Sequence, residues 1–200
     1  MPNSSSPMPS DIDPQSGCRL PLRKREDLDE AGQRAFDRAS TPGKTIVGLR
    51  GPSGLNLYSP ATVDAHQVMN QHLRFKCFDA KTREIAILTV AREMDSRFEW
   101  AAHEPEALKE GVSQDIIDVI KHRKSTQGLD EIYAAIIEFG RQIFRDHKVT
   151  SEAFARVKAK FPPNKLVELV LLMGNYASTA ALLCAFDMQV PEGKPMLPVG

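Results

Sequence analysis

The chain has 200 residues, 26 basic and 26 acidic side chains, a formal net charge of zero and 42% hydrophobic residues. A chain of this length buries about 70% of its unfolded surface, enough for a core without disulfide or metal staples. The charge balance excludes a broadly cationic binder of nucleic acid or anionic membrane, and the hydrophobic content excludes disorder as the main state.

In chain order, residues 1–20 (MPNSSSPMPSDIDPQSG and the residues after it) are rich in Pro, Ser and Asp. They lack the apolar core of a secretory signal and predict a disordered leader. The remainder, 21–200, is expected to form a single helical domain. A polar helix is predicted from about Lys24 to Ala39, with Leu28, Ala31, Ala35 and Phe36 at helical spacing. Residues 41–58, TPGKTIVGLRGPSGLNLY, are too rich in Gly and Pro for a long helix. Their GKT lacks the earlier glycine of a phosphate loop, because Arg38 stands there.

Ser59-Pro60 starts a helix that runs to about Lys76. A second begins near Asp79 and is apolar on most sides, so it is expected to be buried. Asp95-Ser96 breaks it and opens a third, which Gly111 ends. Ser113 caps a fourth, Gly128 opens a fifth through about Arg145, Thr150 or Ser151 caps a sixth, and Pro162-Pro163 lead into a last helix over about 164–187. No stretch alternates as a strand, so the fold class is all-α.

Residues 169–186, LVLLMGNYASTAALLCAF, carry no charge and reach the lower length limit of a membrane span. Gly174, Asn175, Tyr176, Ser178 and Thr179 within them suit close helix packing instead. With no flanking positive bias the expectation is a buried or interfacial helix and no membrane. Three cysteines, Cys18, Cys77 and Cys184, lie far apart with no CxxC. They read as reduced thiols of a cytoplasmic protein.

Chemistry concentrates in residues 83–103. Glu84 shares a helical stripe with Ile87, Leu88 and Ala91, which points its carboxylate inward, where a dry interior raises a carboxyl pKa. Glu99 and His103 are i and i+4 on the next helix and face the same way. From the turn at Asp95-Ser96, Glu84 lies roughly 16 Å back along one helix and His103 roughly 11 Å along the other, against about 5 Å for Glu99. Glu84 is therefore expected to reach His103, with Glu99 orienting the imidazole. Ser96-x-x-Glu99 also reads as a capping box, and Pro105 predicts a kink beside His103.

No metal site is expected. HEPEA at 103–107 has Ala107 where a zincin has its second His, and His66, His72, His122 and His147 show no ligand spacing. The basic run at 121–124, and Arg19, Arg23, Lys24 and Arg25, read as solvated faces.

The run REIAILTVAREMDSRFEWAAHEPEALKEGVS (83–113) resembles the carboxymuconolactone decarboxylase family of the alkyl hydroperoxidase D superfamily. GLRGPSGLNLYSP and HLRF before it fit the family's lead-in. The resemblance implies an alkyl hydroperoxidase D-like fold built on a helical hairpin and assembled as a homotrimer or homohexamer. In the hydroperoxidase branch a CxxCxxxH motif follows a Glu that stands nineteen residues before the His. On this chain the Glu falls on Glu84 and the His on His103, while the two redox cysteines fall on Ser96 and Glu99.

With both thiols gone, the resemblance implies cofactor-free acid–base chemistry on a small carboxylated lactone or related acid. Decarboxylation with carbon protonation is the leading reaction; the alternatives are an isomerase or other lyase of a secondary-metabolic pathway, a thiol-dependent hydroperoxidase, which the missing CxxC disfavours, and a helical oligomer that only binds a small acid or protein. His103 is then the general acid, Glu84 its proton partner and Glu99 the group that holds the imidazole. Arg74 or Arg50 would grip the substrate carboxylate, with Tyr58 and His66 near the pocket.

Overall fold

The structure is a computed structural model that describes residues 8–198. Among these residues it is all-helical: α1 Glu30–Ser40, α2 Pro52–Asn56, α3 Pro60–Phe75, α4 Ala80–Glu93, α5 Arg97–Lys109, α6 Gln114–Lys121, α7 Glu131–Phe144, α8 Ser151–Lys158 and α9 Pro163–Ala185. A 3-10 turn at Arg25–Asp27 precedes α1. Extended pairing is limited, in the described residues, to one isolated bridge between Asp13 and Cys18.

The chain divides into two compact units. One comprises the residues up to Val63 with Leu182–Gln189, the other Asp64–Ala181 with the segment from Val190. Of the expected leader, residues 8–20 belong to the first unit, while residues 1–7 lie outside the described residues. Ile12 and Cys18 are buried. Arg19 N–H donates to Phe186 O at 2.9 Å, and Gln189 N–H to Gly17 O at 2.8 Å. A small core of Leu28, Ala35 and Leu57 sits beneath α1. Asp29, rather than Lys24, starts this helix, its side chain accepting from Gly32 N–H. The Gly/Pro-rich stretch contains the one-and-a-half-turn α2. It packs so closely on the Leu49 carbonyl that a Cβ at Gly54 would stand 2.1 Å from the oxygen.

The second unit is built around α4. Asp79 caps it by accepting from Thr82 N–H at 2.9 Å, and from Ile85 to Ala91 every side chain is buried. A helix covered on all sides needs apolar residues on all sides, which is why REIAILTVARE shows so little amphipathic pattern. α5 and α7 pack on it. At the α4–α7 contact a Cβ on Gly140 would lie 2.6 Å from Thr89 Cγ2, so glycine is the residue that lets these helices close.

Local signals end the helices where the sequence leads one to expect. Asp95 takes a left-handed conformation (φ 48°), and Ser96 N–H returns to Ala91 O at 2.8 Å. Gly111 (φ 83°) closes α5 in the same manner, with Val112 N–H on Ala107 O at 2.9 Å. Ser113 and Thr150 cap α6 and α8. The start of α7 falls later than Gly128, because Asp130 supplies the capping oxygen to Ile132 N–H. α5 continues through Pro105 as one helix.

The basic run 121–124 is not merely solvated. Lys121 Nζ lies 3.0 Å from a Glu104 oxygen, and Arg123 Nε 3.1 Å from Glu93. Arg123 Nη2 also donates to Arg92 O at 3.1 Å, which ties the α4–α5 turn to the end of α6. The last helix is only partly covered. Leu166, Leu169, Leu172, Met173 and Tyr176 of α9 join the core, but Val167, Val170 and Leu171 are exposed. The helix is long and apolar enough to cross a membrane, and 44% of its most apolar window is buried within the chain.

Candidate active site

α4 and α5 form the expected hairpin, and across it His103 Nδ1–H donates to Glu84 Oε2 at 2.8 Å. Both side chains are buried, Glu84 at 1% exposure and His103 at 7%. The second Glu84 oxygen, Oε1, accepts from Arg83 Nε at 2.9 Å, and Arg83 Nη1 donates to Arg74 O at 3.0 Å. Glu84 is thus fully engaged, between an imidazole and a guanidinium.

Its ionisation follows from that engagement and corrects the sequence reading. Burial alone would raise the Glu84 carboxyl. The hydrogen bonds and charges of His103 and Arg83 together outweigh it and hold the group below the usual carboxylate range. The carboxyl that burial does raise is Glu99, pushed up to about 8, with only a weak opposing pull from Ser96. Both Glu99 oxygens are buried without a hydrogen-bond partner. At neutral pH this side chain is a neutral acid held in an apolar setting.

Glu99 therefore does not hold the imidazole, as expected from its i, i+4 spacing; Glu84 does. Nor does it close a capping box, since Ser96 makes no side-chain cap bond. The other i, i+4 pair of α5 occupies a separate face. Trp100 Nε1–H donates to Glu104, the same carboxylate that Lys121 approaches.

Nδ1 of His103 is committed to Glu84, and Nε2 makes no hydrogen bond among the described residues. A histidine so oriented presents one fixed nitrogen for proton transfer. The imidazole also stands edge-to-face on Tyr176 of α9, ring centroids 5.2 Å apart and 86° between planes. Tyr176 was not singled out for chemistry from the sequence, because a tyrosine in an apolar run reads as core. Burial raises its phenol, Arg74 and Arg83 pull it down, and Glu84 and Glu99 push it up. These influences mark Arg74, Arg83, Glu84, Glu99 and Tyr176 as one electrostatic neighbourhood.

Arg74 brings a positive charge with spare capacity. Its guanidinium lies over Phe75, 5.2 Å from the ring centroid, and its Nε is buried with no partner. His66 is engaged elsewhere in the unit. Asn175 Nδ2 donates to Asn70 Oδ1 at 3.2 Å, which leaves Asn175 Oδ1 to accept from His66 Nε2–H at 2.6 Å. Those bonds make His66 a brace between α3 and α9.

The two remaining expected binding residues, Arg50 and Tyr58, belong to the first unit, and Arg50 Nε is buried there without a hydrogen-bond partner. Arg50 lies against Gly17, its Nε and Nη2 2.7 and 2.9 Å from where a Cβ would stand. Tyr58 donates its hydroxyl to Pro21 O at 2.6 Å and carries Arg23 over its ring.

All three cysteines are free thiols, and none lies on α5. Cys77 is buried, and burial pushes its thiol up, which disfavours the thiolate that peroxide reduction requires.

The chain is similar in fold to two solved structures. One is a protein of unknown function from Agrobacterium tumefaciens, described in connection with the antioxidant defence protein AhpD. It is 15% identical, with a TM-score of 0.62 over 68% of this chain and 95% of that one. The other is an uncharacterized peroxidase-related protein with an alkylhydroperoxidase AhpD core from Ralstonia eutropha JMP134. It is 11% identical, with a TM-score of 0.71 over 88% of this chain and 93% of that one. No curated protein matches the sequence. The stretch that carries Arg74, Glu84, Glu99 and His103, residues 60–139, matches the model of the carboxymuconolactone decarboxylase family, and the helical fold around it is AhpD-like.

Proposed function

We propose that this chain is a cofactor-free acid–base enzyme that decarboxylates a small carboxylated lactone and protonates the product at carbon. The observation that carries the reading is the buried Glu84–His103 pair with an unbonded Nε2, beside an unpartnered Glu99. Ser96 and Glu99 stand where the resembling hydroperoxidases have their two cysteines, so the proton-handling groups are present without the thiols.

In this reading Arg74 takes a substrate carboxylate or lactone oxygen, using the buried Nε that has no protein partner. The C–C bond to the departing carboxylate breaks, CO₂ leaves, and its electron pair passes into the conjugated lactone as a dienolate. A protonated His103 delivers the Nε2 proton to carbon while Glu84 holds Nδ1–H and offsets the imidazolium charge. Neutral Glu99 can donate to the oxyanion without bringing a second negative charge near it. Solvent restores the proton to His103.

The test is turnover of 4-carboxymuconolactone in D₂O, followed by NMR. Release of CO₂ with deuterium at a single product carbon is expected. A folded protein that leaves the lactone unchanged refutes this substrate, and deuterium exchange without CO₂ release means isomerisation.

The role of Arg74 predicts a separable effect. Arg74→Ala is expected to raise KM by about 10- to 100-fold, the loss of a charge-assisted hydrogen bond, with a smaller change in kcat. Steady-state kinetics check it; an unchanged KM removes Arg74 from binding.

A further inference from the structure

A second cluster of chemically capable side chains lies apart from the Glu84–His103 pair and shares no hydrogen bond with it. His72 belongs to the last turn of α3, Cys77 to the connection into α4, and Glu168 to α9. One ligand atom from each lies within 4.8 Å of the other two. We propose that His72, Cys77 and Glu168 form a mononuclear binding site for a zinc-class divalent cation.

The donor set is what selects the cation. One sulfur, one imidazole nitrogen and one carboxylate oxygen suit zinc and its cobalt analogue, and not magnesium or calcium, which take oxygen. At Zn–S of about 2.3 Å and Zn–N and Zn–O of about 2.0 Å, a tetrahedral centre holds its ligand atoms roughly 3.3–3.5 Å apart. His72 Nε2 and Glu168 Oε1 are already at 3.1 Å. The Cys77 thiol lies within 4.8 Å of both, and it is held by a weak bond to the His72 main-chain carbonyl at 3.3 Å.

The surroundings are those of a supported ligand set. Lys165 Nζ holds the other Glu168 oxygen at 2.8 Å, which orients the carboxylate with Oε1 toward His72. A ligating carboxylate is ordinarily fixed by such a neighbour. Phe78 lies under the Lys165 ammonium, 5.6 Å from the ring centroid. The His72 side chain is 54% exposed, so a cation enters from solvent and keeps water in the fourth position.

Binding requires the imidazole N–H to reside on Nδ1 and the thiol proton to leave to solvent, with a Zn–S bond in place of S–H. No change in oxidation state is involved. The bound ion joins α3, the α3–α4 connection and α9 through one centre, which stabilises the folded state by mass action.

The experiment is a Co²⁺ titration of the full chain after treatment with a chelator. A sulfur-to-cobalt charge-transfer band is expected, saturating at one equivalent, with a rise in Tm when Zn²⁺ replaces Co²⁺. Cys77→Ser is expected to abolish the band, while Cys184→Ser, which alters the exposed thiol, leaves it unchanged. His72→Ala is expected to weaken Co²⁺ binding by about 10-fold or more, the size of effect that loss of even a supporting contact has in such sites. It serves as the deciding variant if Cys77→Ser does not fold. Absence of the band in the unaltered protein overturns the proposal, as does a band that survives in Cys77→Ser or vanishes in Cys184→Ser. Undiminished affinity in His72→Ala overturns it as well.

Discussion

Replacement of His103 by Ala is expected to lower kcat by about 10²- to 10⁴-fold, the range for loss of a positioned general acid. The imidazole presents an oriented Nε2, because Glu84 holds Nδ1 at 2.8 Å and leaves Nε2 to the substrate. The substitution removes one of the two partners of a buried carboxylate, but Arg83 still holds Glu84 Oε1 at 2.9 Å. A stability loss of about 1–3 kcal/mol therefore accompanies the activity loss without abolishing the fold. Circular dichroism with steady-state kinetics separates the two effects. A folded His103→Ala variant with full turnover would remove His103 from the mechanism.

Glu99 carries the second large effect, and its sign is opposite to that of an ordinary paired carboxylate. In the unfolded chain Glu99 ionises near 4.5; in the folded protein burial pushes it up to about 8. Between these values the folded state holds a proton that the unfolded state has released. Stability therefore falls as pH rises across that window and levels off above about pH 8. The difference corresponds to at most about 4–5 kcal/mol, since each tenfold change in proton affinity is worth ~1.4 kcal/mol.

Glu99→Gln keeps the size and neutrality of the protonated acid and abolishes the titration. Its stability is expected to match the unaltered protein near pH 4.5 and exceed it by several kcal/mol at pH 9. Glu84 contributes in the other direction: its carboxyl lies below the ordinary range, so its contribution is present above the unfolded value and is lost as pH falls through the folded one. That term is common to both proteins and cancels in their difference. Urea denaturation at pH 5, 7 and 9 measures it, and parallel pH profiles would mean that Glu99 is solvated or paired in solution.

The two glutamates show why a site legible in position was not legible in chemistry. A rise of 1.5 Å per residue and a turn at Asp95-Ser96 suffice to bring Glu84 opposite His103, and the structure brings them together. The protonation state depends on who else reaches the carboxylate. Arg83 donates to Glu84, which no helical spacing rule anticipates for adjacent residues. Neither oxygen of Glu99 finds a hydrogen-bond partner, which no local pattern reports. Tyr176 and Asn175 were hidden for a related reason: they lie on α9, far along the chain, and their contacts with His103 and His66 exist only after the helices pack.

What the sequence determined by itself is local. Caps at Asp79, Ser113 and Thr150, the left-handed breaks at Asp95 and Gly111 and an unbroken helical period specify α3 to α9 to within a few residues. Short-range hydrogen bonds and backbone sterics set those features wherever the helices later go. The tertiary structure alone decided which charges are solvated and which are paired. It turned the 121–124 run into partners for Glu93 and Glu104, gave the Tyr58 hydroxyl to Pro21 O, and gathered His72, Cys77 and Glu168 around one point. Desolvation and non-local pairing act through space, so they become readable only once the packing is known.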